Sequence, residues 1–431
     1  MKNRAVSIAP WILLAIFLTA STVYPPKLIW TDELAHFAIG AFDRFFDALL
    51  AALHAIRYGQ SHNQTAVHMM VDWGMLRMFG ASAFWMRFPS LVSFAWILLA
   101  AGLAFQRWNL PARWKFLGFL ALGFNPWLRE QAYEARPYLP FAAGMMGTWV
   151  FLTADPISRK RAWFRLFGAL SLLLASTIHP YFGPYLAVLC LFLFMTRKGG
   201  RLQDVFEWKW ILASSLLYLF IGKVTWLSRE MHFTWDPFQW IGHGFSAVRV
   251  FFSAHLQALA SMKTVFLAAV VGAFILSFRN PRFRSFRNSE AFHWFALAFF
   301  LSLALSLSSY WNGYWILQRQ WIASIALANI ALPGIGYGME RALKRRFPKR
   351  VLLLVVGIGI LFTATRELKQ FAQGLREGWP HPSDQEAPNI LNEMNRNADA
   401  GGEVWGRFRT YYDWPSPEEG WDWRNKPSVT R

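Results

Sequence analysis

The chain has 431 residues, 55% hydrophobic and only 16% charged, and its 44 Lys and Arg outnumber its 25 Asp and Glu for a net charge of +19. So apolar a composition excludes an ordinary soluble domain, and a single cysteine, Cys190, excludes a disulfide framework and a cysteine-based metal site. The basic excess would suit nucleic acid if it covered one face of a soluble fold, but its distribution along the chain excludes that reading too.

Hydrophobic runs of about 15–20 residues recur about eleven times, each roughly the length that a helix needs to cross a ~30 Å hydrocarbon core. Bases gather in every second gap between them: Lys2 and Arg4; Arg107, Arg113 and Lys115; Arg159 to Arg165; Arg197 to Lys209; Arg279 to Arg287; and Arg341 to Arg350. These gaps hold 23 of the 44 bases against five acids, and so carry +18 of the net +19. Such sorting follows the positive-inside rule for cytoplasmic loops. The expected fold class is therefore all-α, a polytopic membrane protein of about eleven transmembrane helices, since lipid tolerates only helices or closed barrels.

In chain order, the first run, Pro10–Val23, has no small-residue cleavage site after it and stops at Tyr24-Pro25-Pro26, so it reads as a retained span. The outer loop 24–88 has apolar stretches broken by Asp43, Arg44, Asp47, Arg57, Asp72, Arg77 and Arg87, the pattern of amphipathic helices on the outer leaflet. Counting Val67–Phe79 as a span would invert every later loop and destroy the charge sorting. Further spans are expected at 89–106, 114–127, 138–153, 165–178, 182–196, 208–222, 264–278, 291–309, 320–338 and 350–364. Many of the 24 tryptophans stand near span ends, as in an aromatic belt. Residues 1–364 form the transmembrane unit; 365–431 form a small outer-face tail, with a short helix expected at Asn389–Asn397 and a strand-prone stretch at Glu403–Tyr412.

Four constellations on the outer side have the residue types for chemistry. Asp32-Glu33 follows the first span directly. Adjacent acids there can be a plain solvated interface, or a general base held where burial raises a carboxylate toward working pH. Glu134-Ala135-Arg136-Pro137-Tyr138 closes the third span, where an acid and an arginine can be an anchor or can meet an anion at the next helix N-terminus. His62, His68 and His179 lie in outer segments without a local ligand spacing among them, so a metal site would have to assemble across elements. Lys223, Arg229, Arg249 and Arg319 are cations on a nearly neutral face. They can snorkel to headgroups or clamp a phosphate.

Taken in order, these pieces resemble the GT-C superfamily of integral-membrane glycosyltransferases, of the protein O-mannosyltransferase and aminoarabinose transferase type. The resemblance is carried by Asp32-Glu33, His62-Asn63-Gln64, Met78-Phe79-Gly80, Arg87-Phe88-Pro89-Ser90, Tyr133-Glu134-Ala135-Arg136-Pro137-Tyr138, Thr177-Ile178-His179-Pro180-Tyr181 and Arg319-Gln320. It spans residues 1–340, with Asn63-Gln64 in place of two prolines and two extra residues around His179. It implies inverting transfer of a sugar from a polyprenyl-phosphate donor to a lipid, glycan or protein acceptor at the outer face of a bacterial inner membrane. In the carried-over roles Asp32 is the base, Glu33 and Glu134 are supporting acids, and Arg136 and Arg319 face the donor phosphate, with Lys223 and Arg249 as further phosphate candidates. Some members bind a divalent metal near this site, which the resemblance carries to His62 and His179. Two other readings stay open: a lipid-linked sugar transporter, against which the scarcity of acids inside the spans argues, and a non-catalytic membrane partner in envelope glycan assembly.

Overall fold

The computed structural model describes residues 2–22, 42–57, 65–80, 82–154, 160–196, 205–225, 289–312 and 321–342, with Glu33, His36, Ile39, Gly40, Ser158 and six positions between 364 and 376. Among the described residues every regular element is an α-helix. In chain order these are α1 (Lys2–Ala20), α2 (Phe45–Arg57), α3 (Ala66–Phe79), α4 (Ala83–Arg107), α5 (Ala112–Gly123), α6 (Pro126–Ala132), α7 (Tyr138–Thr153), α8 (Ala162–Ile178), α9 (Phe182–Thr196), α10 (Val205–Thr225), α11 (Glu290–Asn312) and α12 (Ile322–Ala342). The expected spans at 264–278 and 350–364 lie outside the described residues, apart from Ala364, as do the expected tail elements at 389–397 and 403–412.

The helix boundaries follow local chemistry. Ser82 caps α4 by accepting the Phe84 N–H at 3.1 Å. Gly80, at φ 96°, ends α3 and turns the chain toward α4 in a conformation that L side chains avoid. The run expected as one span over 114–127 is instead two helices. Asn125 caps α6 with its side-chain oxygen on the N–H groups of Trp127 and Leu128, both at 3.1 Å, and Pro126 takes the first helical position, where it cannot continue α5. Conversely α4 starts six residues before the expected Pro89, so Arg87 lies inside a helix rather than in the outer loop.

Helix α7 is the axis of the bundle, buried at every residue from Tyr138 to Leu152 and packed on α4, α8 and α12. Small residues let α8 approach it closely: a Cβ placed on Gly144 would lie 2.5 Å from the Ala175 backbone nitrogen. Outward-facing leucines run in rows, Leu166, Leu170 and Leu173 on α8 and Leu212, Leu216 and Leu219 on α10. Spacings of three and four put each row on one helix face, and apolar stripes of this size are covered by lipid or a partner, not by water. Helices α4 and α12 are each long and apolar enough to cross a bilayer.

The two ends of the bundle differ in their polar chemistry. At the C-terminal end of α4, Arg107 donates to the Val150 carbonyl (3.2 Å) and Thr153 Oγ1 (2.8 Å) and pairs with Glu290, while Arg113 pairs with Glu340, which also accepts from Trp114 Nε1 at 2.7 Å. Two acids in the basic gaps thus have specific partners there. Toward the N-terminal end of α4, about 30 Å from Arg107 at 1.5 Å per residue, lies Arg87, with Ser90 three residues on, and the candidate site gathers around them.

Candidate functional site

Pro137 keeps the preceding residue out of helical geometry, and residues 134–136 are indeed non-helical between α6 and α7. Their backbone groups must therefore find partners elsewhere. The Ala135 N–H donates to Glu33 Oε1 at 2.8 Å, and the Glu134 carbonyl accepts from Ser90 Oγ at 2.6 Å. Glu33 is fully buried, and Arg87 grips it with two donors, Nε to Oε1 at 3.0 Å and Nη2 to Oε2 at 2.7 Å. This bidentate pair supplies the geometry and extra hydrogen bonding without which a buried ion pair does not recover its desolvation cost. One carboxylate thereby joins the first outer loop, α4 and the strap between α6 and α7.

Glu134 and Arg136 are each only 6% exposed, and Gln131 Nε2 donates to Glu134 Oε2 at 3.2 Å. Arg129, one turn earlier, is a cation with a structural task. It donates to Ser21 Oγ (2.8 Å), the Ser21 carbonyl (2.7 Å), the Gly123 carbonyl (3.3 Å) and Tyr133 Oη (3.1 Å), which ties the end of α1 to the break between α5 and α6.

Beside the strap lies a buried group of which sequence reading singled out only His68 as a candidate. His36 Nδ1 is 2.5 Å from Asp72 Oδ2, and His68 Nε2 is 3.6 Å from the same oxygen, with all three side chains buried. Burial holds His68 well below the usual imidazole range, at about 4, against the opposing pull of Asp72. The Ala135 backbone also favours a proton on His68, the action of a carbonyl accepting from the ring. Nε2 has no hydrogen-bond partner among the described residues. A signal for part of this group was available: His68 and Asp72 are four residues apart, one turn on the same face of α3. His36 had no local signal, because its partner is 36 residues away.

His179, at the end of α8, stands among Tyr138, Phe141 and Tyr181 at centroid distances of 5.4, 5.2 and 4.6 Å. Burial, and then the nearby charge of His68, lowers it to about 3. Its Nδ1 accepts the Tyr181 N–H at 3.2 Å, so in the neutral ring Nε2 carries the hydrogen and offers no lone pair to a metal in this orientation. Thr65, just before α3, donates to the Thr177 carbonyl at 2.5 Å and so locks α3 against the same end of α8.

Of the residues singled out from sequence, the fold brings Glu33, Glu134, Arg136 and His179 to this one end of the bundle. Asp32, His62, Arg249 and Arg319 lie outside the described residues, as does the side chain of Lys223. Asp32 immediately precedes Glu33 in sequence.

No protein-family model matches the chain, and no curated protein matches it significantly. Two solved structures do. The structure of ArnT from Cupriavidus metallidurans in the apo state aligns with a TM-score of 0.52 and 13% identity over 93% of this chain and 80% of that one. The structure of the same protein bound to undecaprenyl phosphate aligns with a TM-score of 0.53 and 15% identity over 94% and 74%. At such identity the likeness is one of fold, and it runs through nearly the whole chain.

Proposed function

We propose, for a chain with the GT-C fold of the ArnT transferase, that this protein moves a sugar from a polyprenyl-phosphate donor to an acceptor at the outer face of a bacterial inner membrane. The observation that carries the reading is the convergence of buried acidic, basic and imidazole groups at one end of a helical bundle whose fold neighbour binds undecaprenyl phosphate. The transporter and partner readings give no reason to gather Glu33, Arg87, Glu134, Arg136 and His179 from separate elements into one buried assembly.

In this reading the acceptor hydroxyl attacks the anomeric carbon while the carbon–oxygen bond to phosphate breaks, with inversion. The acceptor proton passes to Asp32, and the donor leaves as polyprenyl phosphate. Glu33 is a positioning residue, since its oxygens are held by Arg87 and the Ala135 N–H, and Asp32 is its neighbour in sequence. Arg136 and Arg319 neutralise charge developing on the phosphate, a form of electrostatic stabilisation, with Lys223 and Arg249 as further cations for the donor. The lipid chain of the donor lies along the apolar outer rows of the bundle. The acceptor is a hydroxyl on lipid, glycan or protein that reaches this face.

The test is sugar transfer from polyprenyl phosphate by purified, folded variants. A general base contributes ~10²–10⁴-fold, so Asp32→Asn should insert normally yet lose nearly all transfer. An Asp32→Asn enzyme with full activity would refute the assignment of the base. A wild-type protein that transfers no sugar from any polyprenyl-phosphate donor would refute the reading as a whole.

A further inference from the structure

We propose that the basic entry to α8 holds an anionic phospholipid of the cytoplasmic leaflet, with its phosphate on Lys160, Arg161 and Arg165 and its acyl chains along the leucine row of the same helix. The inference needs only a helical membrane protein and does not rest on the glycosyltransferase reading.

The bases at this end of the bundle are treated in two ways. Arg107 pairs with Glu290 and Arg113 with Glu340. Lys160, Arg161 and Arg165 are exposed instead, and their side chains have no hydrogen bond or ion pair among the described residues. Asp155, the nearest acid in sequence, lies outside the described residues.

Such a placement of three cations is unfavourable by itself. Arg161 and Arg165 are four residues apart, so they are neighbours on one side of the helix, where like charges repel. The first turn of α8 contains no acid. Cations here also add to the positive end of the helix dipole, whereas cations at the other end would offset its negative charge. An anion held among the three side chains relieves both conflicts.

A free phosphate would answer the charge, but the adjoining surface specifies a lipid. Trp163 is 52% exposed, and its ring stands edge-on to the buried Phe164 at 5.3 Å. Leu166 and Leu170, 60% and 44% exposed, continue the outer surface along the helix. Bases, then an exposed indole, then exposed leucines repeat the order of phosphates, interface and hydrocarbon in a bilayer leaflet. Each guanidinium fork can take two phosphate oxygens, and the four-residue spacing lets two forks converge on one headgroup. His179, near the candidate site, is roughly 20 Å from Arg165 along α8 at 1.5 Å per residue, so this headgroup sits apart from the transfer chemistry.

A base near an anionic membrane surface favours binding by about fivefold, so three bases give a preference on the order of 10²-fold over a neutral lipid. Sharing of that attraction with other basic gaps lowers the share that this surface alone contributes.

The test uses the full chain in a mild detergent with equal amounts of phosphatidylglycerol and phosphatidylcholine, and native mass spectrometry counts the lipids that stay bound. Wild type should retain phosphatidylglycerol in preference by about tenfold or more. The triple variant Lys160→Gln, Arg161→Gln, Arg165→Gln should lose that preference. Removal of three bases from another basic gap, as Arg197→Gln, Lys198→Gln, Arg201→Gln, should leave it intact. Equal loss in both triple variants would overturn the proposal, since the attraction would then follow total charge and not this surface. Wild type with no preference between the two lipids would overturn it as well, and that arm needs no variant, so a misfolded mutant does not leave the idea untested. Excess inorganic phosphate should not displace the lipid; displacement would reduce the site to one for simple anions and overturn the choice of a phospholipid. Lipid retention is read without any sugar transfer, so failure of this inference and failure of the enzymatic reading are separable.

Discussion

Removing the guanidinium of Arg87 isolates the contribution of the clamp that holds the strap and the first outer loop together. In Arg87→Ala the Glu33 carboxylate, fully buried, loses both guanidinium donors while it keeps the Ala135 N–H. Breaking a buried ion pair from one side costs about 3–5 kcal/mol, because the remaining charge is left without compensation. At about 2 °C per kcal/mol for a large chain, the thermal midpoint in detergent should fall by about 6–10 °C. The double variant Glu33→Leu with Arg87→Met replaces both charges by apolar volume. It should lose less than the sum of the single variants, with a coupling on the order of 2–3 kcal/mol. Midpoints measured by loss of soluble monomer on heating decide the matter. An Arg87→Ala midpoint within about 1–2 °C of wild type would refute the reasoning, since it would mean that water or another cation already compensates Glu33.

Three further outcomes are expected. Arg136→Ala and Arg319→Ala should each chiefly weaken use of the polyprenyl-phosphate donor, with partial rescue by Lys, because a point charge cannot reproduce the guanidinium fork; donor titrations of transfer rate measure this, and full activity in both Ala variants would move the phosphate site toward Lys223 or Arg249. Gly144→Leu should disrupt the α7–α8 contact, since even a Cβ would lie 2.5 Å from the Ala175 nitrogen, and the yield of folded protein after solubilisation should fall sharply, whereas normal yield would show that these helices can separate freely. Cysteines placed at positions 60 and 400 should react with a membrane-impermeant thiol reagent from outside and one at 284 should not; a cytoplasmic position 400 would overturn the expected eleven-span count.

The helical class and the location of the acidic strap were legible in the residues themselves. Hydrophobic run length, charge sorting and Pro137 are local signals, and each acts on the backbone beside it. Asn125-Pro126 is a local signal of the same kind, yet the apolar run over 114–127 reads as one span, and it is the cap and the proline that divide it into α5 and α6. What the linear pattern did not reveal was which polar group would answer which. Arg87 looked like one of several loop charges, yet it lies on α4 and closes on Glu33, 54 residues away. Asp72 looked like the solvated face of an interfacial helix, yet it is buried between two histidines, one of them 36 residues distant. Thr65 is locked to a carbonyl 112 residues on. Periodicity reports how a helix divides its own faces, but a buried polar side chain takes its partner from whatever helix end the packing brings within about 3 Å. Only the tertiary arrangement around α7 decided that.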